Sequence, residues 1–136
     1  MPEGFMSSLR SSGSDVAGLS GVPVLVVEDS WHVAKAIKSA LEQVGMRVVG
    51  LAATTEEARR LVAGEKPQIA LVDVNLTKEL ASGLIEELHG QGVQVIVVSG
   101  YAMPPLPENA VAAFLPKPFS DSDLIRILCA TAPRPH

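Results

Sequence analysis

The sequence predicts an α/β fold, a doubly wound sheet of five parallel strands in the order 2-1-3-4-5, with helices on both faces. Short apolar runs such as VPVLVV (Val22 to Val27), IALV (Ile69 to Val72) and VQVIVV (Val93 to Val98) are nearly continuous rather than alternating, as in strands covered on both faces. Segments with helical spacing lie between them, so each connection is a crossover that returns the chain parallel to the strand before. Polar residues able to do chemistry follow the apolar runs: Glu28 and Asp29, Asp73, Ser99 and Lys117. In open sheets of this kind the carboxyl ends of the strands form the crevice that binds ligands.

With 136 residues and 47% hydrophobic content, the chain fills one core. Residues 1–21, rich in Ser and Gly without sustained periodicity, read as a flexible N-terminal tail, 22–130 as the domain and 131–136 as a C-terminal tail. After the first strand, Ser30 is the expected N-cap of a helix carrying Val33, Ile37, Leu41 and Val44, with Gly45 at its end. Met46 to Ala52 forms the second strand. Thr54 and Glu57 open a second helix, with Ala58, Leu61 and Val62 inward and Gly64 expected to end it. The third strand is the apolar run ending at Asp73, followed by a polar loop and a short helix from about Leu84 to His89, closed by Gly90. After the fourth strand, Pro104, Pro105 and Pro107 leave room for one short helix, starting near Pro107. Ala113 to Leu115 is a short fifth strand. Ser120 and Asp123 then open a last helix with Leu124, Ile127 and Leu128 on one face.

A net charge of −4 and a pI near 5.3 lack the basic excess that gathers nucleic acid or anionic lipid. No run approaches the roughly 18 apolar residues of a membrane span, and the start has no signal-peptide core, so a cytoplasmic location is expected. The single Cys129 lies in an apolar helical pattern, where buried thiols are common. His32 and His89 have no partner at metal-ligand spacing, and His136 is terminal.

The 2-1-3-4-5 order sets strands one and three side by side, so Glu28, Asp29 and Asp73 converge. Three carboxylates repel one another unless a cation holds them, and hard oxygen donors favour magnesium. Ser99 and Lys117 add a hydroxyl and an ammonium, which suit the oxygens of a phosphoryl group. Each residue alone has a plainer reading: an acid after a strand caps a turn or helix, Asn75 forms a turn, and Lys117 between prolines is a solvated turn residue. Their joint occurrence at four strand ends points to phosphoryl chemistry.

On these residues the chain resembles the receiver domain of two-component response regulators, a flavodoxin-like, CheY-like domain, from about Val22 to Ala130. The resemblance implies that Asp73 accepts a phosphoryl group from a sensor histidine kinase or phosphotransfer protein. It implies a magnesium ion, or manganese, held by Asp29, Asp73 and the carbonyl of Asn75, with Glu28 acting on it through water. Ser99 and Lys117 would bind the phosphoryl group, and the Lys117–Pro118 bond would be cis. The receiver would catalyse its own phosphorylation and dephosphorylation without turning over a separate substrate, and a downstream protein partner would read the result. No DNA-binding or membrane segment is expected, although a receiver excised from a longer regulator would show the same core.

Some residues depart from the family's usual pattern. The loop from Asp73 to Gly83 is longer than is common, and the segment between Ser99 and Lys117 is short and proline-rich. Phe114 stands where many receivers carry an aromatic that rotates with the Ser/Thr, but the reduced fourth helix favours an ordinary core position. Val98-Ser99-Gly100-Tyr101 and LPKPF resemble free-standing receivers with a FATGY motif, in which Tyr101 would lie over the site or on a surface loop. Two other classes remain: a pseudo-receiver that binds partners without being phosphorylated, and an aspartate-nucleophile phosphohydrolase, which needs a second aspartate where this chain has Asn75.

Overall fold

The strands are β1 (Pro23–Val27), β2 (Arg47–Ala52), β3 (Ile69–Asp73), β4 (Gln94–Ser99) and β5 (Ala113–Pro116), all parallel in the order β2-β1-β3-β4-β5. They come from a computed structural model that describes residues 16–76, 81–100 and 106–132. Every residue of β3 is buried, as expected for the middle strand. Alternation along the strands divides the core. Leu25, Val27, Ala70, Val72, Val95 and Val97 face one side, while Val24, Val26, Leu71, Ile96, Val98 and Leu115 face the other.

The helices are α1 (Trp31–Gln43), α2 (Thr55–Glu65), α3 (Ser82–Gly90) and α4 (Asp121–Thr131). Helices α2 and α3 cover the first side, and α1 and α4 the second. Caps fix three of their starts. Ser30 Oγ accepts from Val33 N–H (3.4 Å) and Thr54 Oγ1 from Glu57 N–H (3.1 Å), while Ser120 and Asp123 form a reciprocal capping box. The Ser120 backbone amide and hydroxyl hold the Asp123 carboxyl below its usual range.

Register sets the site. Val27 pairs with Val72 and Asp73 with Val98, so Glu28, Asp73 and Ser99 emerge near one level of the sheet. Lys117 directly follows β5, whose Pro116 pairs with Ser99.

Several expectations need correction. Gly64 does not end α2; the helix runs to Glu65, and Lys66 closes it in the left-handed region at φ 49°, before Pro67. Pro67 limits what can follow the helix, and the left-handed closing position falls on Lys66 rather than on Gly64. Phe114 is not core: it is 45% exposed. On β5, Ala113 and Leu115 pack on the α1/α4 side, which leaves Phe114 on the other side at the sheet edge. There the described residues between β4 and β5 form a 3-10 turn, Glu108–Ala110, in place of a full helix.

Leu19 lies in the segment that composition assigns to the tail, yet it is fully buried with Ile37, Leu41, Met46 and Leu128 in the α1/α4 core. Gly21 N–H also donates to the Gly45 carbonyl (2.7 Å), which ties this segment to the end of α1. Leu19→Ala is expected to destabilise the domain by about 3 kcal/mol, seen as a lower urea midpoint with unchanged slope. A change below about 0.5 kcal/mol would show the segment to be loose.

Candidate functional site

Lys117 joins the strand ends. Its backbone N–H donates to the Ser99 carbonyl (2.7 Å), and its Nζ donates to Glu28 Oε1 and Asp73 Oδ2, both at 3.1 Å. Both carboxylates are buried, whereas the lysine side chain is 30% exposed. The Lys117–Pro118 bond is cis, as the resemblance implies.

Each acidic side chain in this group has further partners. Asp73 Oδ1 accepts from Asn75 N–H (2.8 Å), so both oxygens of this carboxylate are held. Glu28 Oε2 accepts from Ser30 N–H (3.4 Å), the N-cap of α1, while Oε1 is on Lys117. Asp29 is half-buried beside them, and Glu28, Asp29 and Asp73 each offer an oxygen within 4.8 Å of the others. Such a set of hard oxygen donors fits a divalent cation. No buried side-chain polar atom among the described residues lacks a hydrogen-bond partner.

The charges interact strongly. Burial raises the Glu28 carboxyl first, and the neighbouring Asp73 raises it further; Lys117 offsets part of this, and the result is about 7. Burial alone would lower the Lys117 ammonium, but its bonds to Asp73 and Glu28 outweigh that and hold it above its ordinary value. For Glu28 the folded pKa exceeds the unfolded one, so the folded chain holds this proton more tightly. The stabilisation is complete below about pH 4.5 and is lost as pH rises through about 7. In EDTA the melting temperature is expected to fall by about 5 °C between pH 5 and 8, and Glu28→Gln should flatten that slope. Equal slopes in parent and variant would show that Glu28 titrates normally.

The structure thus brings Glu28, Asp29, Asp73, Asn75, Ser99 and Lys117 to one end of the sheet. Ser99 closes β4 and is buried. Tyr101 and part of the Asp73–Gly83 loop lie outside the described residues, as does the FATGY comparison that rests on Tyr101. Two features were not read from the sequence. The Ser30 backbone amide reaches Glu28, which its N-cap position could have signalled. An apolar groove of about 740 Å³ runs between α1 and α4, lined by His32, Val33, Ile37, Phe119 and Leu124, with Lys117 also in its wall. Trp31, 63% exposed, begins α1, with Lys35 5.8 Å from its ring centre.

An open parallel sheet in this order, with an acidic group and a lysine at its switch point, is a flavodoxin-like, CheY-like fold. Residues 24–128 match the response regulator receiver domain family, and the chain belongs to that family, which serves two-component signalling. Over 107 residues it is 29% identical to the transcriptional regulatory protein PdtaR of Mycobacterium tuberculosis, a match covering 75% of this chain and 52% of that one. The chain therefore spans about half the length of the curated relatives it matches. Its backbone is similar to the response regulator PhyR from Brucella abortus, with a TM-score of 0.77 at 23% identity, covering 96% of this chain and 55% of that one. It is also similar to the receiver domain of PhyR from Erythrobacter litoralis, with a TM-score of 0.71 at 26% identity, covering 82% and 90% of the two chains.

Proposed function

We propose that this receiver accepts a phosphoryl group on Asp73 from a sensor histidine kinase or phosphotransfer protein and changes its protein contacts in response. The observation that carries this reading is the buried Asp73 carboxylate, held 3.1 Å from the Lys117 ammonium beside Glu28 and Asp29. An oxygen of Asp73 forms the new O–P bond, the P–N bond to the donor imidazole breaks, and the departing ring nitrogen takes up a proton. Lys117 draws charge from the phosphoryl oxygens, so positioning and electrostatics do most of the catalysis. Asp29, Asp73 and the Asn75 carbonyl are the groups that would hold magnesium, which when bound supplies further charge neutralisation at those oxygens.

Phosphorylation adds negative charge and acceptor oxygens at this end of the sheet. Ser99 would turn its hydroxyl toward one of them, and its strand β4 pairs with β5, which carries the half-exposed Phe114. Two arrangements of the β4–β5 edge would then differ in partner affinity. The groove between α1 and α4 lies beside the acceptor and offers a donor protein an apolar surface. A cytoplasmic setting follows from the same reading, as does an output made by binding rather than by turnover of a separate substrate. The name of the mycobacterial relative points to regulation of transcription as one such output.

Intact-protein mass after incubation with acetyl phosphate and magnesium tests the proposal. One added phosphoryl mass is expected, and none in EDTA. No gain in folded protein with magnesium present would instead favour a pseudo-receiver. Continuous phosphate release from many phosphomonoesters would favour the hydrolase, against which Asn75 stands at the position of the second acid.

A further inference from the structure

We propose that this chain pairs with a second copy of itself through the groove between α1 and α4, each copy seating its Trp31 in the groove of the other. The pairing does not depend on phosphoryl transfer. Trp31 is the single tryptophan of the sequence, and it stands 63% exposed at the start of α1. Its place on the helix keeps it out of its own groove. At about 100° per residue, His32 and Ala36 of the groove wall lie roughly 100° and 140° round α1 from Trp31. Lys35 lies on the ring's own side, 5.8 Å from its centre. Ring and groove are therefore neighbours on one face of α1, where His32, Ala36 and Ser39 are exposed. A two-fold axis through that face brings each ring to the other copy's groove, the self-complementary arrangement of an isologous pair.

The groove fits an indole in shape and in chemistry. Val33, Ile37, Phe119 and Leu124 give apolar walls to a space of about 740 Å³, and Asp121 adds a carboxylate to its lining. An indole carries one N–H donor and no acceptor, so a buried one needs an acceptor of this kind. The charges favour the same partner. Lys35 and Lys38 are the lysines of α1, and Asp121 and Asp123 stand in the first turn of α4. Laying α1 of one copy over α4 of the other sets opposite charges together, twice in each pair. Pairing also covers the groove beside Lys117 and closes it to other proteins.

Sedimentation of the full chain over a range of concentrations tests this, with Trp31 emission read on the same samples. A small interface of this kind makes a weak pair, with half the chain expected to be paired near about 0.1 mM. Mass should rise toward two chains as the emission moves to shorter wavelength, both along one concentration curve. Trp31→Ser removes the ring and Ala36→Glu puts a charge in the groove wall, both at exposed positions. Each should weaken pairing about tenfold or more. A mixture of the two variants restores one ring and one open groove, so it should pair more strongly than either variant alone.

A single-chain mass up to about 1 mM, tenfold above the expected midpoint, would overturn the proposal and leave the groove to a different protein. Pairing that Trp31→Ser and Ala36→Glu leave unchanged would overturn it too, because another face would then hold the copies together.

Discussion

Asp73→Asn is expected to abolish the gain of phosphoryl mass proposed for the parent, a loss of more than about 100-fold in rate. The carboxamide cannot supply the anionic oxygen that attacks phosphorus, and it offers the cation one fewer charged donor. The substitution should nevertheless leave the fold intact. Asp73 is one of the groups that raise the Glu28 carboxyl, so removing its charge relieves repulsion inside the site. Lys117 keeps Glu28 as a partner at 3.1 Å. Mass spectrometry with thermal unfolding alongside checks both halves. Labelling of Asp73→Asn at the parent rate would place the phosphoryl group on another residue.

Lys117→Met is expected to cost about 10²- to 10³-fold in phosphorylation rate, since it removes the positive group aimed at the charge that develops on the phosphoryl oxygens. It also leaves the Glu28 and Asp73 carboxylates, each 4% exposed, without their shared cation. Breaking one partner out of a buried ionic group typically costs about 3–5 kcal/mol. The penalty should be largest in EDTA at pH 8 and shrink at pH 5.5, where Glu28 takes up a proton, or when magnesium is added. Urea unfolding under those conditions measures it. A penalty independent of pH and magnesium would mean that the lost stability came from the lysine stem rather than its charge.

The sheet and its order were legible because buried parallel strands are written as apolar runs, and polar residues at their ends stand out against them. Glu28, Asp73 and Ser99 were located in this way, and caps such as Ser30 and Ser120 were legible from local spacing. What sequence reading missed depends on side chains meeting across the chain. Leu19 stands among serines and glycines, and only its insertion beside Leu41 and Leu128 makes it core. Phe114 looked apolar enough for the interior, but the alternation of a four-residue edge strand turned it outward. Gly64 is a frequent helix terminator, yet it is Lys66 that takes the left-handed conformation. The bridge from Glu28 to Lys117 joins residues 89 positions apart.

The Asp73 carboxylate is gripped at both oxygens, by Asn75 N–H and by Lys117 Nζ. Rotation of this side chain is therefore frozen when the chain folds, before any donor arrives. In the proposed reaction a donor would meet a nucleophile already aimed, with none of its own binding energy needed to set that aim. A reagent as small as acetyl phosphate, with no surface to dock, would encounter the same aligned carboxylate as a whole kinase. What a protein donor would add is residence time and selectivity, so discrimination among donors would rest on their outer surfaces and not on the geometry of attack.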